Sequence, residues 1–161
     1  MGARMVIVVP TVGRSAVLVP LLEQLLAADA EEIVVVDQST GEDRDRVARF
    51  VDRRDPRLRL IHRTERGLPG ARNAGIAATT APIVLFLDDD VVLGPGCLAA
   101  HLAAYADPTV GGVVGRIHER RLRSNSRRTT NRVDRGGRIR THLAGDVATD
   151  VATLKGANMS F

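Results

Sequence analysis

The stretch PIVLFLDDDVVLGPG, Pro82 to Gly96, decides the fold. Ile83 to Leu87 is an unbroken apolar, partly β-branched run of strand length, the pattern of a strand buried on both faces. Asp88, Asp89 and Asp90 follow at once. Carboxylates this close repel, so a positive partner is expected beside them, either arginine or a metal ion. In an extended segment Asp88 and Asp90 would converge while Asp89 points away. Two hard oxygen ligands so placed suit Mg2+ or Mn2+. A surface turn that caps the following helix is the plainer alternative.

Working outward, the same kind of run recurs at Met5–Val9, ended by Pro10, and at Glu32–Asp37. Leu58–His62 is a shorter, alternating strand, Val110–Ile117 a further one, and Val147–Leu154 a candidate for the last. Between them lie helical patterns. Val17, Leu18, Leu21, Leu22, Leu25 and Leu26 recur at helical spacing behind Ser15, a plausible N-cap, and Pro20 moves the expected start to about Val19. Thr40–Arg54 is a charged helix with Val47, Phe50 and Val51 inward. GLPGARNAGIAATT is a glycine-rich turn running into a helix, and Pro95 opens another that reaches Tyr105. Strands alternating with helices predict an α/β fold, a three-layer α/β/α sandwich with a mostly parallel central sheet. Ligands in such sheets bind beyond the carboxyl ends of the strands, where Asp37 and Asp88 fall.

Length and composition agree. The chain has 161 residues, 44% hydrophobic and 26% charged, which fits a single soluble domain. No apolar run approaches the ~20 residues of a membrane span, and the apolar run at the N-terminus is too short for a signal peptide. Cys97 alone excludes an internal disulfide or a cysteine zinc site and fits a reducing compartment, so a cytoplasmic location is expected. The net charge of +4 hides an asymmetry: Arg116 to Arg140 holds ten arginines against Glu119 and Asp134, a local +8 that leaves the rest at −4. Residues 119–141 read as an Arg-rich exposed loop. They contain no aromatic residues for base stacking and no nucleic-acid motif, so no specific nucleic acid is expected. The loop could cross an acidic face or meet anionic headgroups at the inner face of a membrane, a peripheral contact.

Other features carry chemistry with less weight. Asp37, closing IVVVDQST, can take the imide N–H of uracil, thymine or guanine, or form an Asx-turn at the strand exit. Gly67, Gly70, Arg72 and Asn73 set a guanidinium at a helix N-terminus, a ready anion site or an ordinary cap. It is neither a Walker loop nor G-x-G-x-x-G. No nucleophilic triad is visible, and the four histidines show no metal spacing.

In chain order VIVVPTVGR, EIVVVDQST, GLPGARNAGI, IVLFLDDDVV and LKGANMSF together resemble the N-terminal, nucleotide-binding part of a family 2 glycosyltransferase with the GT-A fold, Rossmann-like in its sheet. The resemblance spans nearly the whole chain, residues 1–161 as one nucleotide-sugar-binding domain. It implies an inverting transfer of a hexosyl or deoxyhexosyl group from a UDP, dTDP or GDP sugar to a glycan, lipid-linked or small-molecule acceptor, with Mn2+ or Mg2+ as cofactor. Cell-wall or polysaccharide synthesis is the implied setting. Pro10 and Thr11 match the loop against the base, and Asp37 the acid that holds it. Arg72 matches a residue near ribose and diphosphate. Asp88 and Asp90 match the D-x-D pair, the first near ribose or sugar and both toward the metal. Gly156, Ala157 and Asn158 match the sugar and acceptor side. Family members carry an acidic base beyond a G-x-N-x-x-F stretch, and here the chain stops at Phe161. The base is therefore expected beyond Phe161, with Asp146 and Asp150 as substitutes, and the resemblance implies an incomplete domain that transfers poorly or not at all. Two other classes stay open. A sugar-phosphate nucleotidyltransferase would need a glycine-rich signature where PTVGR stands. A non-catalytic nucleotide-binding or nucleic-acid-binding module would use the Arg-rich segment, with steep salt dependence.

Overall fold

The computed structural model describes residues 4–28, 30–52, 55–116, 130–133, 139–142 and 158–161. Strand β1 (Met5–Thr11) is buried along its whole length. It lies between β2 (Glu32–Asp37) and β4 (Ile83–Leu87), parallel to both, and β2 pairs in parallel with β3 (Leu58–His62). Valine and isoleucine dominate these strands because both faces of the sheet are covered. Among the described residues the sheet has six strands in the order β3-β2-β1-β4-β8-β5, where β5 is Val113–Val114 and β8 is Asn158–Ser160. β8 runs antiparallel to both of its neighbours.

Helices α1 (Ser15–Ala27) and α2 (Gly41–Asp52) cover one face, where Leu18, Leu22, Leu25, Val47 and Phe50 pack on Ile7, Val9 and Val35. Each such side chain taken out of water contributes about 1.5–3 kcal/mol before entropy is counted. Helix α3 (Leu68–Ala77) covers the other face through Ala71 and Ala74 against Val6, Val8 and Val34. Its approach is close: a Cβ on Gly75 would stand 2.3 Å from Cγ1 of Val8. Helix α4 (Cys97–Ala104) adds Leu98 and Leu102 to the first face. The expected three-layer sandwich is therefore present. Among the described residues no helix is long and apolar enough to cross a membrane.

Several boundaries differ from expectation. α1 begins at Ser15 rather than Val19, since the Ser15 amide and hydroxyl both donate to Asp43 Oδ1 and fix the first turn. Pro20 thus lies inside the helix, where it and Ala16 face solvent and the unpaired carbonyl stays open to water. Pro95 sits in the turn before α4, which starts two residues later behind a left-handed Gly96. The strand expected over Val110–Ile117 contracts to Val113–Val114, flanked by Gly111, Gly112 and Gly115, which favour no extended run.

The Arg-rich segment is not uniformly a loop. β6 (Thr130–Val133) and β7 (Ile139–His142) pair antiparallel in a separate two-stranded sheet. The strand expected at Val147–Leu154 lies outside the described residues, as do Asp146 and Asp150.

Candidate functional site

Strand order places the site. The chain builds outward from β1 to β3 and returns through α3 to β4 on the other side of β1. The direction of building reverses between β1 and β4, and such a switch point opens a crevice at the carboxyl edge. Register sets His62, Asp37 and Thr11 side by side along that edge. The aspartate triplet follows Leu87 on the next strand, and Asn158 pairs with Leu87 from β8.

Asp88, Asp89 and Asp90 do not alternate as an extended segment would, because the chain turns at Asp89 and Asp90. Asp89 nonetheless points into the scaffold, as expected, while Asp88 and Asp90 stay at the surface of the crevice. Asp89 is buried and accepts a 2.7 Å hydrogen bond from the Thr11 hydroxyl. Arg14, from the loop after β1, reaches both Asp89 Oδ1 at 2.9 Å and Asp90 Oδ2 at 2.7 Å. Asp88 faces Arg72 at 3.5 Å instead. The positive partners anticipated for the triplet are thus two arginines, delivered by two different loops. Burial pushes the Asp88 carboxyl above its ordinary pKa, aided by Asp90 and Asp89 and opposed by Arg72. Burial also raises Asp89, against the Thr11 hydrogen bond and Arg14. The hydrogen bond to Asp90, with the charge of Asp89, holds Arg14 more firmly protonated.

Gly13 lets the chain leave β1 toward α1 with φ at 63°, and its amide donates to the Ser39 hydroxyl at 2.8 Å. The loop carrying Arg14 is thereby tied to the loop after β2.

Asp37 closes β2 with its side chain fully buried. Oδ1 accepts from the Ser39 amide at 2.9 Å, which is the Asx-turn of the plainer reading. Oδ2 is buried without a hydrogen-bond partner, and so is His62 Nδ1, 3.6 Å away. A buried carboxylate oxygen left unpaired costs about 1–3 kcal/mol or more, so this one is an acceptor with capacity to spare. Pro10, paired with Val36, and Thr11, paired with Asp37, are buried next to it.

Arg72 lies in the first half of α3, mostly buried, its guanidinium 5.3 Å from the centre of the Phe86 ring. Phe86 meets Phe161 at 5.6 Å, so the strand leading to the triplet also seats the arginine beside it.

Asn158, expected on the sugar and acceptor side, is turned toward α4. Its Oδ1 lies 2.8 Å from His101 Nε2, while His101 Nδ1 lies 2.7 Å from the Ser160 hydroxyl, to which Tyr105 donates at 2.9 Å. A neutral ring protonated on Nε2 satisfies every partner: Nε2 donates to Asn158, and Ser160 donates to Nδ1. Burial lowers the His101 pKa accordingly. Gly156 and Ala157 lie outside the described residues.

Among the described residues no three His, Cys, Asp or Glu side chains form a cluster that would enclose a metal. The half-exposed carboxylate of Asp90 and the partly exposed one of Asp88 are hard oxygen donors at the crevice. They fit a divalent ion that takes its remaining ligands from phosphate and water.

Sequence reasoning missed Arg14, Gln38 and the His101 network. Gln38 is buried, donates to the Glu65 carbonyl and accepts from the Gly67 amide, so it holds the loop that leads into α3. Its neighbour Asp37 drew attention by charge, and a neutral amide gave no comparable signal.

Comparison with known proteins agrees with this geometry. The "Glycosyl transferase family 2" model matches residues 6–158. Validoxylamine A glucosyltransferase of Streptomyces hygroscopicus subsp. jinggangensis is 36% identical over 115 residues, which is 67% of this chain and 27% of the relative. A mannosyltransferase from Pyrobaculum calidifontis, solved with GDP-Man and Mn2+, superposes with a TM-score of 0.66 at 30% identity over 74% of this chain and 36% of its own. Glucosyl-3-phosphoglycerate synthase from Mycobacterium tuberculosis shares the fold, with a TM-score of 0.53 at 20% identity over 66% of this chain and 40% of its own. The chain thus spans roughly a quarter to two fifths of the length of these proteins. With the sheet order, the crevice and the family match together, the chain has the GT-A fold and belongs to glycosyltransferase family 2.

Proposed function

We propose that the carboxyl edge of β1, β2 and β4 is the donor half of an inverting, metal-dependent glycosyltransferase site. It takes a UDP, dTDP or GDP sugar, with a hexosyl or deoxyhexosyl group passing to a hydroxyl of a glycan, lipid-linked or small-molecule acceptor. The observation that carries this reading is Oδ2 of Asp37, which accepts no hydrogen bond and has the His62 ring nitrogen 3.6 Å away. A base that presents an imide N–H satisfies it, and one that presents only acceptors there does not. Pro10 and Thr11 form the neighbouring wall for the base. Arg72 and Asp88 serve ribose and diphosphate, and Asp90 with Asp88 serves the metal.

Departure of the nucleoside diphosphate places charge on phosphate oxygens. Arg72 is positioned to stabilise that charge, and Mn2+ or Mg2+ held by Asp90 would supply Lewis-acid neutralisation. Inversion needs a base to take the acceptor proton. The Mn2+ and GDP-Man of the Pyrobaculum protein support the donor class and the metal.

Competition binding tests the base pocket. UDP, dTDP or GDP should bind in the presence of Mn2+ at least ~10-fold more tightly than CDP, and Asp37→Asn should erase that preference. Equal affinity for all four would refute the assignment of Asp37.

A further inference from the structure

Arg14 has no part in the reading above, yet it occupies the oxygen that reading needs. Its guanidinium holds two unlike partners. Asp89 is buried and fixed by Thr11, so that contact anchors the arginine. The contact to Asp90 Oδ2 is open to water, with Arg14 45% and Asp90 49% exposed. Exposed pairs of this kind are weak and readily exchanged for a stronger cation. A guanidinium also matches phosphate oxygens in a two-pronged geometry.

We propose that Arg14 is a positioning residue, a built-in counter-cation for Asp90: it neutralises the carboxylate until a divalent ion takes Asp90, and it then turns to the diphosphate that accompanies the ion. This rests on the metal-dependent reading of Asp90. It gives Arg14 opposite effects on two equilibria. Metal alone must displace the guanidinium, so Arg14 weakens that binding. With a diphosphate present the released guanidinium gains phosphate oxygens, so Arg14 strengthens it. An arginine that merely shaped the loop would act with one sign on both.

The test is a Mn2+ titration followed by the free-ion EPR signal, on wild type, Arg14→Met, Arg14→Lys and Asp90→Asn, alone and with UDP or GDP. Without nucleotide, Arg14→Met should bind Mn2+ about 2–5-fold more tightly than wild type. With diphosphate the order should reverse, wild type binding about 10-fold more tightly. Arg14→Lys, which keeps the charge and loses the fork, should fall between and carries the test should Arg14→Met not fold. If wild type binds Mn2+ and Asp90→Asn does not, but Arg14→Met is no tighter without nucleotide or keeps one sign throughout, the role of Arg14 is overturned and the Asp90 reading stands. If no variant binds Mn2+ with or without nucleotide, both fall.

Discussion

Asp89 and Asp90 are adjacent in sequence and opposite in situation, and substitutions should separate them. Asp89→Asn removes a buried charge from Thr11 and Arg14, so it should cost about 1–3 kcal/mol in chemical unfolding while weakening nucleotide binding less than Asp90→Asn does. Asp90→Asn removes only a half-exposed pair, so stability should shift by less than ~1 kcal/mol while metal-dependent nucleotide binding is lost. The triplet was legible in the sequence as a charged site wanting positive partners. That Asp89 stands apart from Asp88 and Asp90 was legible too, although the chain reaches that division through a turn at Asp89 and Asp90 rather than through extended alternation. Arg14 was hidden: its partners stand 75 and 76 positions away, and only the β1–β4 pairing brings them together.

Elements raise questions of fit. Gly75→Ala would drive a methyl into Val8 across the α3–β1 contact and should destabilise the fold by about 1–3 kcal/mol, with Val8→Ala in the same chain recovering part of the loss. β8 is held to α4 by the His101 network, which sets a pH dependence with a definite sign. Burial depresses the His101 pKa below the ordinary 6.5, so in the acid range the unfolded chain binds the proton more readily than the folded one. The stability conferred by neutral His101 is full above pH 6.5 and is lost as pH falls toward the depressed value. Thermal melting should show this acid slope in wild type and a smaller one in His101→Gln. β1 to β4 were readable from their apolar runs. β8 was not, since three residues inserted antiparallel at an edge leave no periodic signal.

For the whole molecule, the alternating α/β order was enough to give the class of fold, while the family came from the resemblance carried by VIVVPTVGR, EIVVVDQST, GLPGARNAGI, IVLFLDDDVV and LKGANMSF in that order. The strand order that makes Thr11, Asp37 and Asp89 neighbours comes from the reversal at β1, which emerges only once the sheet is assembled. The central claim is that this edge binds a nucleoside diphosphate through a divalent ion. Isothermal titration calorimetry with UDP, dTDP and GDP, each with and without Mn2+, addresses it most directly. At least one of the three should bind with Mn2+ at least ~10-fold more tightly than without it, and Asp90→Asn should remove the difference. Absence of metal-dependent binding to all three would contradict the account.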